Sequence, residues 1–324
     1  MDFALSTHWN AGRHAHGEAV IEEILELGFR QVELGYDLRS DQAPGIRKWV
    51  AQGAIQVVSV HAPCPIPLGA LRGHPELATL CEPDAQRRAL ARDYLERTIA
   101  FAAEIGADRV VAHAGRLDMV HRTPELIALH AAGAGFSPKA ERLRDKLQAR
   151  RERLVAPYLE RLAAGIEALL PRLQAMGVRL AFENLPSWEA IPTELETSQL
   201  LERFPDPHFG AWYDMGHGQI RHTLFLINQR RWLARWQDRV LGWHVHDVAF
   251  PAEDHQMPPG GLVDFSGLKV YAQTPGPKVI EAAPGTPADA VRAARVWLQE
   301  TWGATKQEGA EPPAAPDSAH KELI

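Results

Sequence analysis

VRLAFENLPS, residues 178–187, opens as a run of apolar and β-branched residues and stops at a carboxylate, Glu183, and an amide, Asn184. A run this short suits a strand buried on both faces. An acid at the C-terminal end of a buried parallel strand points into the mouth of a barrel or sheet, where α/β enzymes keep their chemistry.

Three other segments share the design. The run 209–213, FGAWY, ends at Asp214, with Gly216 and His217 behind it; 239–243 leads to His244, Val245, His246 and Asp247; and 277–280 leads to Glu281. Four strand ends thus present Glu183, Asp214, His244 and Glu281. Oxygen ligands with one imidazole suit a divalent ion such as Mn²⁺, Mg²⁺, Co²⁺ or Zn²⁺.

Outward from these segments, strand and helix signals alternate. Strands are expected at 2–7, with His8, Trp9 and Asn10 at its mouth, at 30–34 with Glu33 near its end, at 56–60 ending at His61, and at 108–112 ending at His113. Helical spacing marks 18–27, 46–52, 82–105, 195–204, 224–236, 265–272 and 288–302, and the proline-rich APCPIPLG at 62–69 reads as a loop. Eight strands alternating with helices favour a closed parallel (β/α)8 TIM barrel, as a single domain over residues 1–302. The connection before the fifth strand far exceeds a minimal crossover. It reads as a helical insertion over about 116–176, Gly- and Ala-rich near 131–135 and then a charged helical stretch over 138–176, interrupted near Pro157 and Pro171.

Composition narrows the function classes. A net charge of −6 and a pI near 6.2 argue against a chain built to grip nucleic acid. Two cysteines make no disulfide framework and fit a reducing compartment. With no basic, apolar leader at MDFALSTHWN and no apolar run of about 18 residues, a soluble cytoplasmic protein is expected.

The strand-end signatures SVHAP at 59–63, VVAHAG at 110–115, AFEN at 181–184, DMGH at 214–217, HVHD at 244–247 and the lone Glu281 resemble the xylose isomerase-like TIM-barrel superfamily. That superfamily takes in sugar phosphate isomerases and epimerases and the endonuclease IV family of abasic-site nucleases. The resemblance implies one divalent metal on Glu183, Asp214, His244 and Glu281, with Glu183 and Glu281 exchanging protons with adjacent carbons of a small sugar, polyol-derived ketone or related hydroxy-carbonyl substrate. His217 would touch a substrate hydroxyl. His61 and His113 are pocket candidates, as are Glu33, Trp9 and His255, while Tyr36 and Trp188 could wall a sugar. His246 reads as paired or packed outside the metal's ligands.

A metal-dependent hydrolase, lyase or phosphodiesterase resembling endonuclease IV is the alternative, with three zinc ions and Glu253 and His255 as an acid-x-His pair. No arginine lies between His244 and Asp264, where many sugar epimerases carry one. The insertion could serve as a lid or as an oligomer surface, and with it a homo-oligomer stays open.

From Gly303 the chain, GATKQEGAEPPAAPDSAHKELI, has few large apolar residues and is expected to be a disordered tail. Truncation after Gly303 should leave the melting temperature and activity nearly unchanged. A large loss in a thermal melt would show that the tail docks.

Overall fold

A computed structural model describes residues 1–303, so from 304 onward the expected tail lies outside the described residues, while Gly303 itself ends the last helix. Its centre is a closed barrel of eight parallel strands. In chain order these are β1 (Ala4–Ser6), β2 (Gln31–Leu34), β3 (Gln56–His61), β4 (Arg109–Ala112), β5 (Arg179–Glu183), β6 (Phe209–Asp214), β7 (Val240–Val245) and, after a small hairpin β8 (Asp247–Ala249) and β9 (Glu253–Gln256), β10 (Lys278–Ile280). Around the barrel they run β1-β10-β7-β6-β5-β4-β3-β2, and pairing of Ala4 with Val279 and Leu5 with Ile280 closes the ring.

The barrel interior is filled by Ala4, Val58, Val111, Ala181, Trp212 and Val279, all buried. Trp212 is the large member, and Gly242 makes room for it: a Cβ there would lie 2.1 Å from the indole. The indole also sits edge-on against the His244 ring, with centroids 5.3 Å apart. The packed core thus forms the floor of the mouth.

The helices are α1 (Gly17–Glu26), α2 (Ala43–Ala51), α3 (Ala85–Glu104), α4 (Thr123–Ala131), α5 (Pro138–Met176), α6 (Glu194–Arg203), α7 (Met215–Thr223), α8 (Gln229–Trp236), α9 (Phe265–Leu268) and α10 (Ala288–Gly303). No helix among the described residues is long and apolar enough to cross a membrane. Cys64 and Cys81 are both free and buried.

Two expectations need correction. The stretch 138–176 is not interrupted at its prolines but is one helix of 39 residues with Pro157 and Pro171 inside it. Both prolines lie on the exposed face. There water can satisfy the carbonyls they free. The opposite face buries Leu143, Leu147, Leu162, Ile166, Leu169 and Leu173, and that packing outweighs the local cost. Ser137 caps the start, and Gly177, at φ 64°, ends the helix in the left-handed conformation.

Likewise, 224–236 is not one helix. Asp214 caps α7 directly at the end of β6, Phe225 takes a left-handed φ of 57°, and Asn228 caps a separate α8. The β8–β9 hairpin falls where no element is expected, while α4 lies within the insertion expected to be helical over about 116–176.

The insertion grips the loop that follows β5. Arg151, at the middle of α5 and 2 % exposed, donates through Nε and Nη2 to both oxygens of Glu196, at 2.7 and 2.5 Å, and through Nη1 to the Trp188 carbonyl. Glu196 also accepts from the Thr193 backbone and hydroxyl, closing a capping box on α6. A parallel clamp comes from α7, where Arg221 donates to Glu194 at 2.9 Å and to the Ser187 carbonyl at 3.0 Å.

Arg151→Met should destabilise the protein by about 3–5 kcal/mol, because it strands Glu196 as a buried unpaired charge. The double variant Arg151→Met/Glu196→Leu should recover most of that loss. Denaturant titration of the two reads the difference.

Candidate active site and metal centre

Asp214 shows how the strand ends become a site. Its Oδ1 accepts from the His217 amide at 2.6 Å to start α7, and its Oδ2 accepts from His246 Nε2 at 2.9 Å. The ring of His246 fits because residue 216 is glycine; a Cβ there would lie 2.1 Å from it. Asn184 ties β5 to β6, its amide donating to the Asp214 carbonyl at 3.0 Å and accepting the Asp214 N–H at 2.7 Å. Glu183 and Asp214 are thereby held side by side.

His244 is the hub. Its Nδ1 lies 3.1 Å from Glu183 Oε1, 3.2 Å from Glu281 Oε2 and 3.7 Å from Asp214 Oδ2. All four residues are at most 4 % exposed. Its Nε2 lies 3.1 Å from Glu33 Oε1 and 3.3 Å from Oε2, and Glu33 also accepts from Ser6 and Ser59 at 3.2 and 2.8 Å. Glu33 can only accept here, so Nε2–H donates to it and Nδ1 keeps the lone pair, the carboxylate–histidine arrangement that orients metal ligands.

Glu183 faces a second group through its other oxygen. Oε2 lies 3.1 Å from both His61 Nε2 and His113 Nε2. His61 donates Nδ1–H to the Ala62 carbonyl at 3.2 Å, and His113 Nδ1 lies 3.6 Å from Glu76 Oε1. Glu76 is anchored by Arg116 at 2.8 Å. Glu76 and Arg116 escaped sequence reading because they sit in irregular loops; their one signal is proximity to strand ends.

His217, His246 and His255 form a third group. His217 Nδ1 lies 3.0 Å from the Asn184 carbonyl, and His246 and His255 stack with centroids 4.3 Å apart. The acid nearest His217 Nε2 is Asp254, at 3.7 Å, while Glu253 is exposed. His255 takes φ 52°, and its backbone N–H donates to His246 Nδ1 at 2.9 Å.

Of the remaining candidates, Tyr36 stands edge-on to His61 at 5.1 Å. Trp9 is buried, its indole N–H donating to the Thr286 carbonyl at 2.8 Å and the Arg13 guanidinium lying over its ring. Trp188 is buried under the Arg151 guanidinium.

The buried acids and imidazoles charge one another. Burial works to raise the Glu183 carboxyl, but His244, His113 and His217 hold it well below its ordinary range. Burial works to lower the His217 imidazole, and the Asp214 and Glu183 carboxylates outweigh it, raising it to about 9. Glu76, despite burial, is brought down to about 2 by His113 and Arg116.

The donor set fits a divalent cation. Ligand atoms of Glu183, Asp214, His244 and Glu281 all lie within 4.8 Å of one another, and the buried Glu281 Oε2 has no hydrogen-bond partner. A buried acceptor without a donor is costly unless an ion satisfies it. The same spacing holds within His61, His113 and Glu183 and within His217, His246 and His255.

Known proteins share the fold. The uncharacterised protein y4fM of Sinorhizobium fredii is 24% identical over 294 residues, covering 85% of this chain and 84% of its own. Among solved structures, a 3-keto-D-glucoside 4-epimerase of E. coli superposes with a TM-score of 0.67 at 17% identity, over 93% of this chain and 99% of its own. D-psicose 3-epimerase of Clostridium cellulolyticum gives 0.65 at 11% identity, over 93% and 99%. The profile of the xylose isomerase-like TIM barrel family matches residues 21–301, and the chain belongs to that family.

Proposed function

We propose that the protein is a divalent-metal-dependent epimerase or isomerase of a small keto-sugar. One observation carries the reading: Glu183 and Glu281 reach His244 Nδ1 from strands on either side of β7, at 3.1 and 3.2 Å. Glu183 Oε1, Asp214 Oδ2, His244 Nδ1 and Glu281 Oε2 would hold the ion. When bound, it supplies stabilisation for negative charge developing on substrate oxygens. The same two glutamates exchange the protons, Glu183 Oε2 from beside the His61 and His113 imidazoles at 3.1 Å. One glutamate takes the proton from a carbon beside the carbonyl, leaving an enediolate; the other returns a proton from its own side. Glu33 acts behind them as a positioning residue. The sugar epimerases of similar fold support a keto-sugar.

The substrate is read as uncharged, because the arginines around the mouth are committed. Arg116 is bound to Glu76 and Ser187, Arg151 to Glu196, and Arg221 to Glu194. A phosphate group would need a free cation.

The second reading, a metal-dependent hydrolase or phosphodiesterase, is favoured by the two flanking donor groups, each spaced to hold a further ion. Elemental analysis with an anomalous-scattering map separates the two. One ion per chain supports the epimerase; two or three, one beside His255, support the hydrolase. A screen of ketoses, inososes and their phosphates for metal-dependent solvent-deuterium exchange tests the chemistry itself.

Glu183→Gln and Glu281→Gln should each cut turnover by at least about 10²- to 10⁴-fold, the range for loss of a single acid–base group. Near-parental activity and metal content in either variant would sink the two-glutamate mechanism. Glu33→Gln, which alters the carboxylate behind His244, should weaken divalent-metal affinity by about 10- to 100-fold. Calorimetric metal titration measures it, and unchanged affinity would remove Glu33 from its positioning role.

A further inference from the structure

The mouth carries a polar chain on its β1–β2 side that the proton-transfer chemistry does not use. His8 lies in the turn after β1, and Tyr36 and Asp37 follow β2, across the barrel from β5 and β6. The Gly35 N–H donates to Thr7 Oγ1 at 2.8 Å and draws the two strand ends together. Residue 35 must be small: a Cβ would lie 3.0 Å from the His8 backbone nitrogen and 2.8 Å from Asp37 Oδ1. Asp37 Oδ2 then sits 3.0 Å from His8 Nδ1, and Tyr36 Oη sits 3.3 Å from His8 Nε2. The Tyr36 ring meets the His61 ring, which in turn touches Glu183.

Unlike the ion pairs that clamp the β5 loop, this chain is partly open, with 17% of the His8 side chain and 20% of Asp37 exposed. We propose that Tyr36, oriented by His8 and Asp37, is the specificity-determining contact for a non-reacting hydroxyl of the substrate. This assignment rests on the epimerase reading.

The chemistry suits a hydroxyl in either protonation state of His8. With Nε2 unprotonated, Tyr36 donates to it and offers its oxygen lone pairs to a substrate O–H. With Nε2 protonated, the imidazolium donates to Tyr36, whose own proton turns outward to a substrate oxygen. Burial and the Glu281, Asp37, Glu183 and Glu33 carboxylates raise the Tyr36 pKa, so the phenol stays a donor. Those carboxylates also make the wall unfavourable for an anionic substituent, in keeping with a neutral polyol chain.

The test uses the full-length, metal-loaded protein with D-psicose and its 4-, 5- and 6-deoxy forms. In the parent, at least one deoxy form should lose about 3- to 10-fold in kcat/KM, the worth of one neutral hydrogen bond. Tyr36→Phe, which keeps the ring against His61, should raise KM for D-psicose by a similar factor and abolish the penalty for that deoxy form. Metal content should stay parental, and kcat should change less than KM. His8→Gln should act in the same direction.

Deoxy penalties that persist in Tyr36→Phe, with KM unchanged, would overturn the assignment while leaving the epimerase reading intact. Conversely, D-psicose binding by saturation-transfer NMR that weakens in Tyr36→Phe, without deuterium exchange in the parent, would support the contact and overturn the chemistry. A parent that binds none of these sugars overturns the assignment.

Discussion

Burying four carboxylates around one imidazole is the constraint on which the rest of this molecule depends. Glu33, Glu183, Asp214 and Glu281 converge on His244 inside a barrel that excludes water from all five. Unpaired, such charges would be costly to bury. The chain answers with dedicated partners: Ser6 and Ser59 on Glu33, His61 and His113 on Glu183, and His246 on Asp214. Each partner lies at a strand or strand end, so barrel register and site electrostatics are one design.

The insertion after β4 serves the same end from outside the barrel. Arg151 binds the Trp188 carbonyl and Glu196, and Arg221 binds the Ser187 carbonyl and Glu194. From the other side of that loop, Glu189 accepts from the Arg122 and Thr123 amides and the Thr123 hydroxyl. The segment just beyond Glu183 is therefore held by buried ion pairs and backbone bonds instead of being left to fluctuate, as loops commonly are. Rigid support of this kind keeps a general base within reach of its proton.

Much of this was legible in residue order because buried parallel strands read as short apolar runs, and an acid or histidine at the end of each stands out against them. What the order of residues conceals is set by folding in three dimensions. Glu33 is visible as a strand-end acid, but that its carboxylate backs His244 follows only from closing the barrel. Pro157 and Pro171 look like breaks because their cost depends on which face they occupy, and both face solvent. His8 is visible at the mouth of the first strand, but its pairing with Asp37 and Tyr36 follows only from the fold, and Asp37 and Glu76 lie in irregular loops where no period marks them. The β8–β9 hairpin shows neither alternation nor a turn dipeptide, so only its backbone reveals that Asp254, not Glu253, approaches His217.

Glu281 follows β10 directly, and β10 closes the ring on β1 through only two residue pairs, Ala4 with Val279 and Leu5 with Ile280. Glu33 stands on β2, beyond β1 on the other side of that seam, yet its carboxylate meets His244 Nε2 on β7 at 3.1 Å. Ser6, on β1 itself, donates to the same carboxylate at 3.2 Å. The first and last strands are therefore joined by a polar bridge across the barrel as well as by their two backbone pairs. They cannot swing apart without pulling Glu33 from the imidazole on β7. The carboxylate that backs the site thus doubles as the clasp of the fold.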